Sequence, residues 1–428
     1  MKERVLIVGG GISGLAAAGF LRDAFDCVLV ERESEIGGYC RTFYQAGFTW
    51  DYSGHFYHFR HPWIAEHLHR RMDADGLLTV NRISRIYLRD TYIDYPFQYN
   101  IHQLPIADFV HCLKDMYRAQ EQGERVFRTF REMLYGRYGQ TLADLFLVPY
   151  NEKLYAIDIE QLDPDAMGRF FPHIEFGALL AKLSGDTGAG GYNDNFTYHR
   201  RGARAYVDGL ARYVPDGVIR TSAVCRRIDL DKRRADVEGE WVPFDRMVIS
   251  APLPRILEIA GTPAPPDLLT ANKVLVLNFG FDRPSLRPDH WVYYPEPEYV
   301  FFRVGHYDNI LGETRMSLYV EIALSSEAAI NVPTLKRRAL VDLTRAGVIA
   351  GHRLISWTHV VLDPAYVHVS NASNAFAAEA CAGLEARAVH PIGRYGRWKY
   401  CSIEDNILDA FSLARSWGAA REFGPGHG

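Results

Sequence analysis

Six residues near the N-terminus, Gly9-Gly10-Gly11-Ile12-Ser13-Gly14, have the types and the spacing of a phosphate cradle. They fit G-x-G-x-x-G, in which one glycine turns sharply, one lets the backbone approach a pyrophosphate and one packs helix on strand. A helix that opens at Ile12 and Ser13 offers unpaired N–H groups and the positive end of its dipole to the same phosphates. Glu31 follows Gly14 by 17 residues (31 − 14), beside Arg32 and at the end of the apolar run Cys27-Val28-Leu29-Val30. A carboxylate at that place can accept from a ribose hydroxyl. A second glycine pair, Gly37-Gly38, stands just beyond and leads into Tyr39; it allows close approach to the far end of an extended dinucleotide. The combination predicts FAD rather than NAD.

These residues need a scaffold, and the flanking pattern supplies one. Val5-Leu6-Ile7-Val8 is a short apolar run of the fully buried, parallel-strand kind, followed by an Ala-rich helix to about Arg22 and by the strand at Cys27. From about Leu104 to Leu183 the periodicity is helical. The run Ser184 to Gly191 is glycine-rich and is expected to be a mobile loop. Residues 217 to 250 alternate as a meander that returns to a central-sheet strand at Met247 to Ser250, and 272 to 362 hold long strands such as Lys273 to Phe281 and Ser317 to Ile322. A strand at Ala388-Val389 ends at Pro391, and a closing helix begins near Glu404. The expected fold class is α/β: a Rossmann-type FAD-binding domain split along the chain, with an inserted helical domain and a strand-rich substrate domain. The expected boundaries are 1–100, 201–260 and 386–428 for the FAD-binding parts, 101–200 for the helical insertion and 261–385 for the substrate domain.

Composition sets outer limits. At roughly 150 residues per domain, 428 residues suggest two or three units. A hydrophobic fraction of 48% and a mean hydropathy of −0.16 exclude disordered and membrane-bundle classes. Lys and Arg total 48 against 52 Asp and Glu, so no basic surplus exists for nucleic acid or an anionic membrane. Cys27, Cys40, Cys112, Cys225, Cys381 and Cys401 include no CxxC pair, which argues for a reducing compartment and a cytoplasmic protein. Gly9, Gly10, Gly11 and Gly14 argue against reading the run from Val5 to Leu21 as a signal peptide.

The segment Glu31 to Thr42 resembles the FAD-binding segment of the amine oxidase and glutathione reductase superfamily. Within it, motifs in a shared order over most of the chain resemble those of the UDP-galactopyranose mutase family. Tyr52-Ser53-Gly54-His55-Phe56-Tyr57-His58 is similar to that family's segment with a histidine beside the flavin, which implies such a place for Gly54 and His55. Tyr95-Pro96-Phe97-Gln98 resembles its Pro-Phe-Asn, and Tyr150-Asn151-Glu152-Lys153-Leu154-Tyr155 its Glu-Lys-x-Trp stretch. Phe302-Arg303-Val304 and Gly393-Arg394-Tyr395-Gly396-Arg397-Trp398-Lys399-Tyr400 resemble the segments bearing its two diphosphate arginines. Pro364-Ala365-Tyr366 matches its Tyr-Tyr-Pro region. The resemblance implies flavin contacts for Arg32, Tyr39, Val224, Gly393, Ser402 and Ile403, and substrate contacts for Phe97, Tyr155, His173, Asn195, Arg303, Tyr366, Arg394 and Tyr400. There are departures: His173 stands for a mobile-loop arginine, Ser402 for an aspartate near the flavin and Tyr155 for a tryptophan near the sugar.

Planar guanidinium forks at Arg303 and Arg394 can hold a diphosphate bidentately, with Tyr366 and Tyr400 as hydroxyl donors. The function this implies is an FAD-dependent pyranose–furanose mutase of a nucleotide hexose, with His55, Arg303, Tyr366, Arg394 and Tyr400 at the reaction centre. Its flavin works reduced, NAD(P)H is a candidate reductant, and a homodimer stays open. The same N-terminal fingerprint serves a flavin oxidase, dehydrogenase or desaturase, and also a flavoprotein fold kept for binding or assembly. The histidines 55, 58, 61, 67 and 69 form no H-E-x-x-H and have no cysteine among them, so no metal is expected. Asp231 to Arg234 reads as a solvated hairpin tip, and no serine stands in G-x-S-x-G.

Overall fold

The computed structural model describes residues 2–123, 125–185 and 194–419. Strand β1 (Arg4–Val8) lies at the centre of a five-stranded sheet, between β2 (Asp26–Val30) and the strand Arg246–Ile249. Val389–Pro391 and Ile219–Arg220 form the edges, and all four pairings are parallel. Three distant stretches of chain therefore build one doubly wound sheet, the split Rossmann arrangement expected. A parallel sheet must be covered on both faces. Helix α1 (Ile12–Leu21) covers one of them, and all ten of its residues are buried, which accounts for the small, uncharged side chains that resemble a signal peptide.

The meander is a three-stranded antiparallel sheet of Cys225–Asp229, Arg234–Val237 and Glu240–Pro243. Its first turn spans the charged residues from Asp231, with Arg233 in the left-handed region at φ 47°. The helical stretch holds Ile106–Glu121, Phe130–Tyr138, Val148–Tyr155 and Phe176–Leu183. The expected glycine-rich loop lies, beyond Gly185, outside the described residues.

A second large sheet has seven strands, in the order Leu354–Leu362, Lys273–Phe281, Ser317–Leu324, Arg303–His306, Trp291–Tyr293, Ser84–Leu88, Thr91–Asp94. Its last two strands come from the first hundred residues rather than from 261–385. The reason lies in pairing: the three-residue strand at Trp291 takes Ser84–Ile86 as a parallel neighbour, and Thr91–Asp94 closes a hairpin on that strand. The sheet meets the loop that carries His55 through Trp291, whose ring stacks on Phe56 at 5.2 Å. All six cysteines are free thiols. Among the described residues no helix is long and apolar enough to cross a membrane.

Candidate functional site

The glycine turn is built as its chemistry requires. Gly9 sits at φ +105°, and a Cβ on Gly14 would come 1.9 Å from the Gly9 carbonyl oxygen, so α1 can touch the turn only through glycine. Gly11 caps α1 in extended backbone with no side-chain cap, leaving the helix N–H groups open to an anion. The second glycine pair faces the first: Gly37 N–H donates to Gly10 O at 2.8 Å, and a Cβ on Gly38 would lie 3.3 Å from Gly11 Cα. Buried Glu31 accepts from Gly10 N–H at 2.6 Å and Glu33 N–H at 2.9 Å. Two bonds leave its remaining lone pairs for a ribose hydroxyl.

The C-terminal segment closes on the same helix end. A Cβ on Gly393 would lie 2.3 Å from Ser13 Oγ, which donates to Asn406 at 2.9 Å. Ser402 caps the helix Ile403–Ser416 through a reciprocal pair with Asp405, so its hydroxyl does structural work there. Ile12, Ser13, Gly393 and Ile403 thus share one neighbourhood. Val224 follows Ala223, whose N–H donates to Glu31 O, and its own N–H is taken by Glu238. Arg32 points outward and pairs with Glu33 at 3.2 Å.

Gly54 and His55 lie deeper. A Cβ on Gly54 would meet the Tyr319 hydroxyl at 2.6 Å. His55 Nδ1 is buried with no hydrogen-bond partner. Burial pulls the His55 pKa down to about 4, Glu321 opposes that, and Arg303 and Arg394 add to it, so the imidazole is neutral at pH 7. Arg303 stands across the strand pair from Glu321. Its Nε and a terminal nitrogen both bond that buried carboxylate, the latter at 2.9 Å, and the Ser53 hydroxyl bonds the same group. The Arg303 fork is therefore occupied by Glu321, and Arg303 differs in this from a free phosphate clamp.

Arg394 is the contrast. Its backbone N–H is held by Asn406, while its guanidinium lies 4.6 Å from the Tyr400 ring centroid and 5.4 Å from that of Tyr366. Nε and one terminal nitrogen are buried without a hydrogen-bond partner, and among the described residues no carboxylate pairs with it. Tyr366 and Tyr400 stack at 6.2 Å, and Tyr155 meets Tyr366 edge-on at 6.0 Å. The hydroxyls of Tyr155 and Tyr319 are also buried and unpartnered. Such groups cost about 1–3 kcal/mol each when left unsatisfied, more when charged, and a fold keeps them where a ligand supplies the partner. A planar guanidinium walled by aromatic rings suits a phosphate or carboxylate.

Three expected contacts lie elsewhere. Phe97 is fully buried against Phe146, in the core. His173 Nδ1 bonds the Tyr138 hydroxyl at 3.1 Å within the helical unit. Asn195 lies on an exposed strand end, where its carbonyl meets His58 at 3.0 Å. Sequence reasoning missed Glu321 and Tyr319. The available signal was a glutamate two residues after a tyrosine in the otherwise apolar strand Ser317–Leu324, which places both on one sheet face.

The chain matches the flavin containing amine oxidoreductase family over residues 12–333. It belongs to that family. The cofactor is accordingly a flavin, and the double glycine cradle with Glu31 fits its dinucleotide form. Among solved structures, the fold is similar to that of a reduced UDP-galactopyranose mutase, with a TM-score of 0.91 at 23% identity over 99% of this chain and 95% of that one. A proposed protoporphyrinogen oxidase from Exiguobacterium sp. 255-15 follows at 0.80 and 17%, covering 97% and 99%. Putrescine oxidase matches at 0.66 and 14%, covering 98% and 99%. At these identities the likeness establishes the fold; the family places the chain among flavin-dependent enzymes.

Proposed function

We propose that this flavoenzyme is a nucleotide-sugar pyranose–furanose mutase, a ring isomerase with no net redox change. The observation that carries the reading is Arg394, half-buried and paired with no carboxylate among the described residues, its two buried open donors set among Tyr366, Tyr400 and Tyr155. The reduced flavin supplies a nucleophilic nitrogen toward the anomeric carbon of the sugar. The protein's part is to grip and stabilise the departing diphosphate, and Arg394 does so with two N–H donors aimed where negative charge develops. Tyr366 and Tyr400 wall that position and keep water from it. Neutral His55 offers Nδ1 for one hydrogen bond at the flavin end of the site. Arg303, neutralised by Glu321, braces the strands around it and leaves Arg394 as the principal anion contact.

The similarity to the reduced mutase supports this reading. The similarity to putrescine oxidase, with Tyr155, His173 and Ser402 departing from the mutase pattern, supports a second reading as an oxidase or dehydrogenase. The test is to incubate the photoreduced enzyme anaerobically with a panel of nucleotide hexoses. A product of unchanged mass and new retention time, formed many times per reduction, is expected. Product that appears only with oxidised enzyme and weighs two hydrogens less would establish the oxidase reading instead.

A further inference from the structure

The turn Asp363-Pro364-Ala365-Tyr366 places the Tyr366 ring beside Arg394, and two tyrosines from the cofactor side of the molecule fasten it. The Tyr39 hydroxyl accepts from Asp363 N–H at 3.0 Å and donates to Pro364 O at 3.2 Å. The Tyr395 hydroxyl donates to Ala365 O at 3.1 Å. The two rings pack edge-to-face at 5.7 Å and 86°. From the opposite side Asn272 completes the enclosure: it accepts Tyr366 N–H at 2.8 Å and Ala365 N–H at 2.9 Å, and donates to Tyr366 O at 3.0 Å. Its side-chain amide also donates to Leu154 O at 2.7 Å, next to Tyr155.

Tyr39 directly follows the Gly37-Gly38 pair, and Tyr395 directly follows Arg394. The turn is thus tied at once to the cofactor cradle and to the segment that carries Arg394. We propose that Tyr39 and Tyr395 are positioning residues whose hydroxyls clasp the 363–366 turn, so that a flavin seated on Gly37-Gly38 sets Tyr366 for the diphosphate. The role assigned to Tyr366 rests on the mutase reading; the clasp itself does not. Burial pushes the Tyr39 hydroxyl up to about 12, so it remains a donor throughout the physiological range. A clasp of this kind links the two sites thermodynamically: holding Tyr366 in advance removes an ordering cost from diphosphate binding, and the linkage is reciprocal.

The experiment uses the holoenzyme with Tyr39→Phe and Tyr395→Phe, each of which keeps the ring and deletes only the hydroxyl. Deuterium exchange of peptides spanning 360–370 should quicken about tenfold in Tyr395→Phe, the order expected when one hydrogen bond is lost, and at least as much in Tyr39→Phe, which loses two, while peptides over 9–14 stay unchanged. FAD content should hold at wild-type level. The dissociation constant for UDP, followed through the flavin spectrum, should rise about threefold to tenfold. Unchanged exchange at 360–370 overturns the clasp whatever UDP does. Faster exchange in a protein whose wild type ignores UDP upholds the clasp and removes the diphosphate reading. Should Tyr39→Phe fail to fold, Tyr395→Phe puts the same question from the Arg394 side.

Discussion

Arg303 and Arg394 come from motifs that look equivalent, yet their surroundings give them opposite energetics. Replacing Arg303 by Ala strands Glu321, whose side chain is 2% exposed, without its cation. Breaking a buried pair from one side costs about 3–5 kcal/mol of stability, which urea unfolding will measure. Replacing Arg394 by Met removes a charge that no carboxylate pairs with among the described residues. That variant should be no less stable than the wild type, but its affinity for UDP should drop by about 2–4 kcal/mol, with FAD content intact. A stable Arg303→Ala, or an Arg394→Met that binds UDP normally, would reverse these assignments. The difference was not legible in the sequence, because the partner of Arg303 is set by strand register 18 residues away (321 − 303). Gly9 to Gly14 and Glu31 were legible, since their chemistry is local: the motif, the strand and the helix all fall within one short βαβ unit.

At the scale of elements, the contact between α1 and the turn is the tightest in the cofactor site. A methyl on Gly14 meets a backbone carbonyl, which cannot rotate away as a side chain could. Gly14→Ala should therefore shift α1 off β1, cost about 1–3 kcal/mol as overpacking does, and lower the FAD content of the purified protein. Wild-type FAD content in that variant would show that the helix start tolerates displacement. The long strand Lys273–Phe281 was readable from its continuous apolar run, and the closing helix near Glu404 from its helical period and its Ser402 cap. The recruitment of Ser84–Asp94 into the large sheet was not. It depends on a parallel pairing with Trp291–Tyr293 across some 200 residues (291 − 84 = 207), and no local pattern encodes such a partner. Phe97 illustrates the same limit. Its motif position implies a ligand contact, but its packing on Phe146 is decided by the helical insertion folding over it.

At the scale of the whole molecule, burial makes stability depend on pH in a direction that can be worked out. Burial is the leading cause that pulls His55, His58, His67 and His290 from 6.5 down to about 4. A group whose folded pKa is depressed in this way stabilises the fold through its neutral form. The contribution is complete above pH 6.5 and is lost as pH falls toward 4, because the unfolded chain takes up the proton first. Asp51 runs the other way. Burial raises it from 3.8 to about 6, although Thr42, Tyr198 and the Ala203 N–H all donate to its carboxylate. Its contribution is present below 3.8 and is lost as pH rises through 6. Across the window from 4 to 6, four histidines oppose one carboxyl, so the unfolded state binds more protons than the folded one. Unfolding free energy should fall on acidification from pH 6.5 by at least about 1.4 kcal/mol per pH unit, the value for a single net proton. Asp51→Asn keeps the shape of the side chain and deletes the opposing titration, so its acid limb should be steeper than that of the wild type. Urea unfolding of the holoenzyme at half-unit steps from pH 4.5 to 7 reads both slopes. A flat wild-type profile, or identical slopes in the two proteins, would mean that water reaches these groups and that they titrate as they do in the unfolded chain.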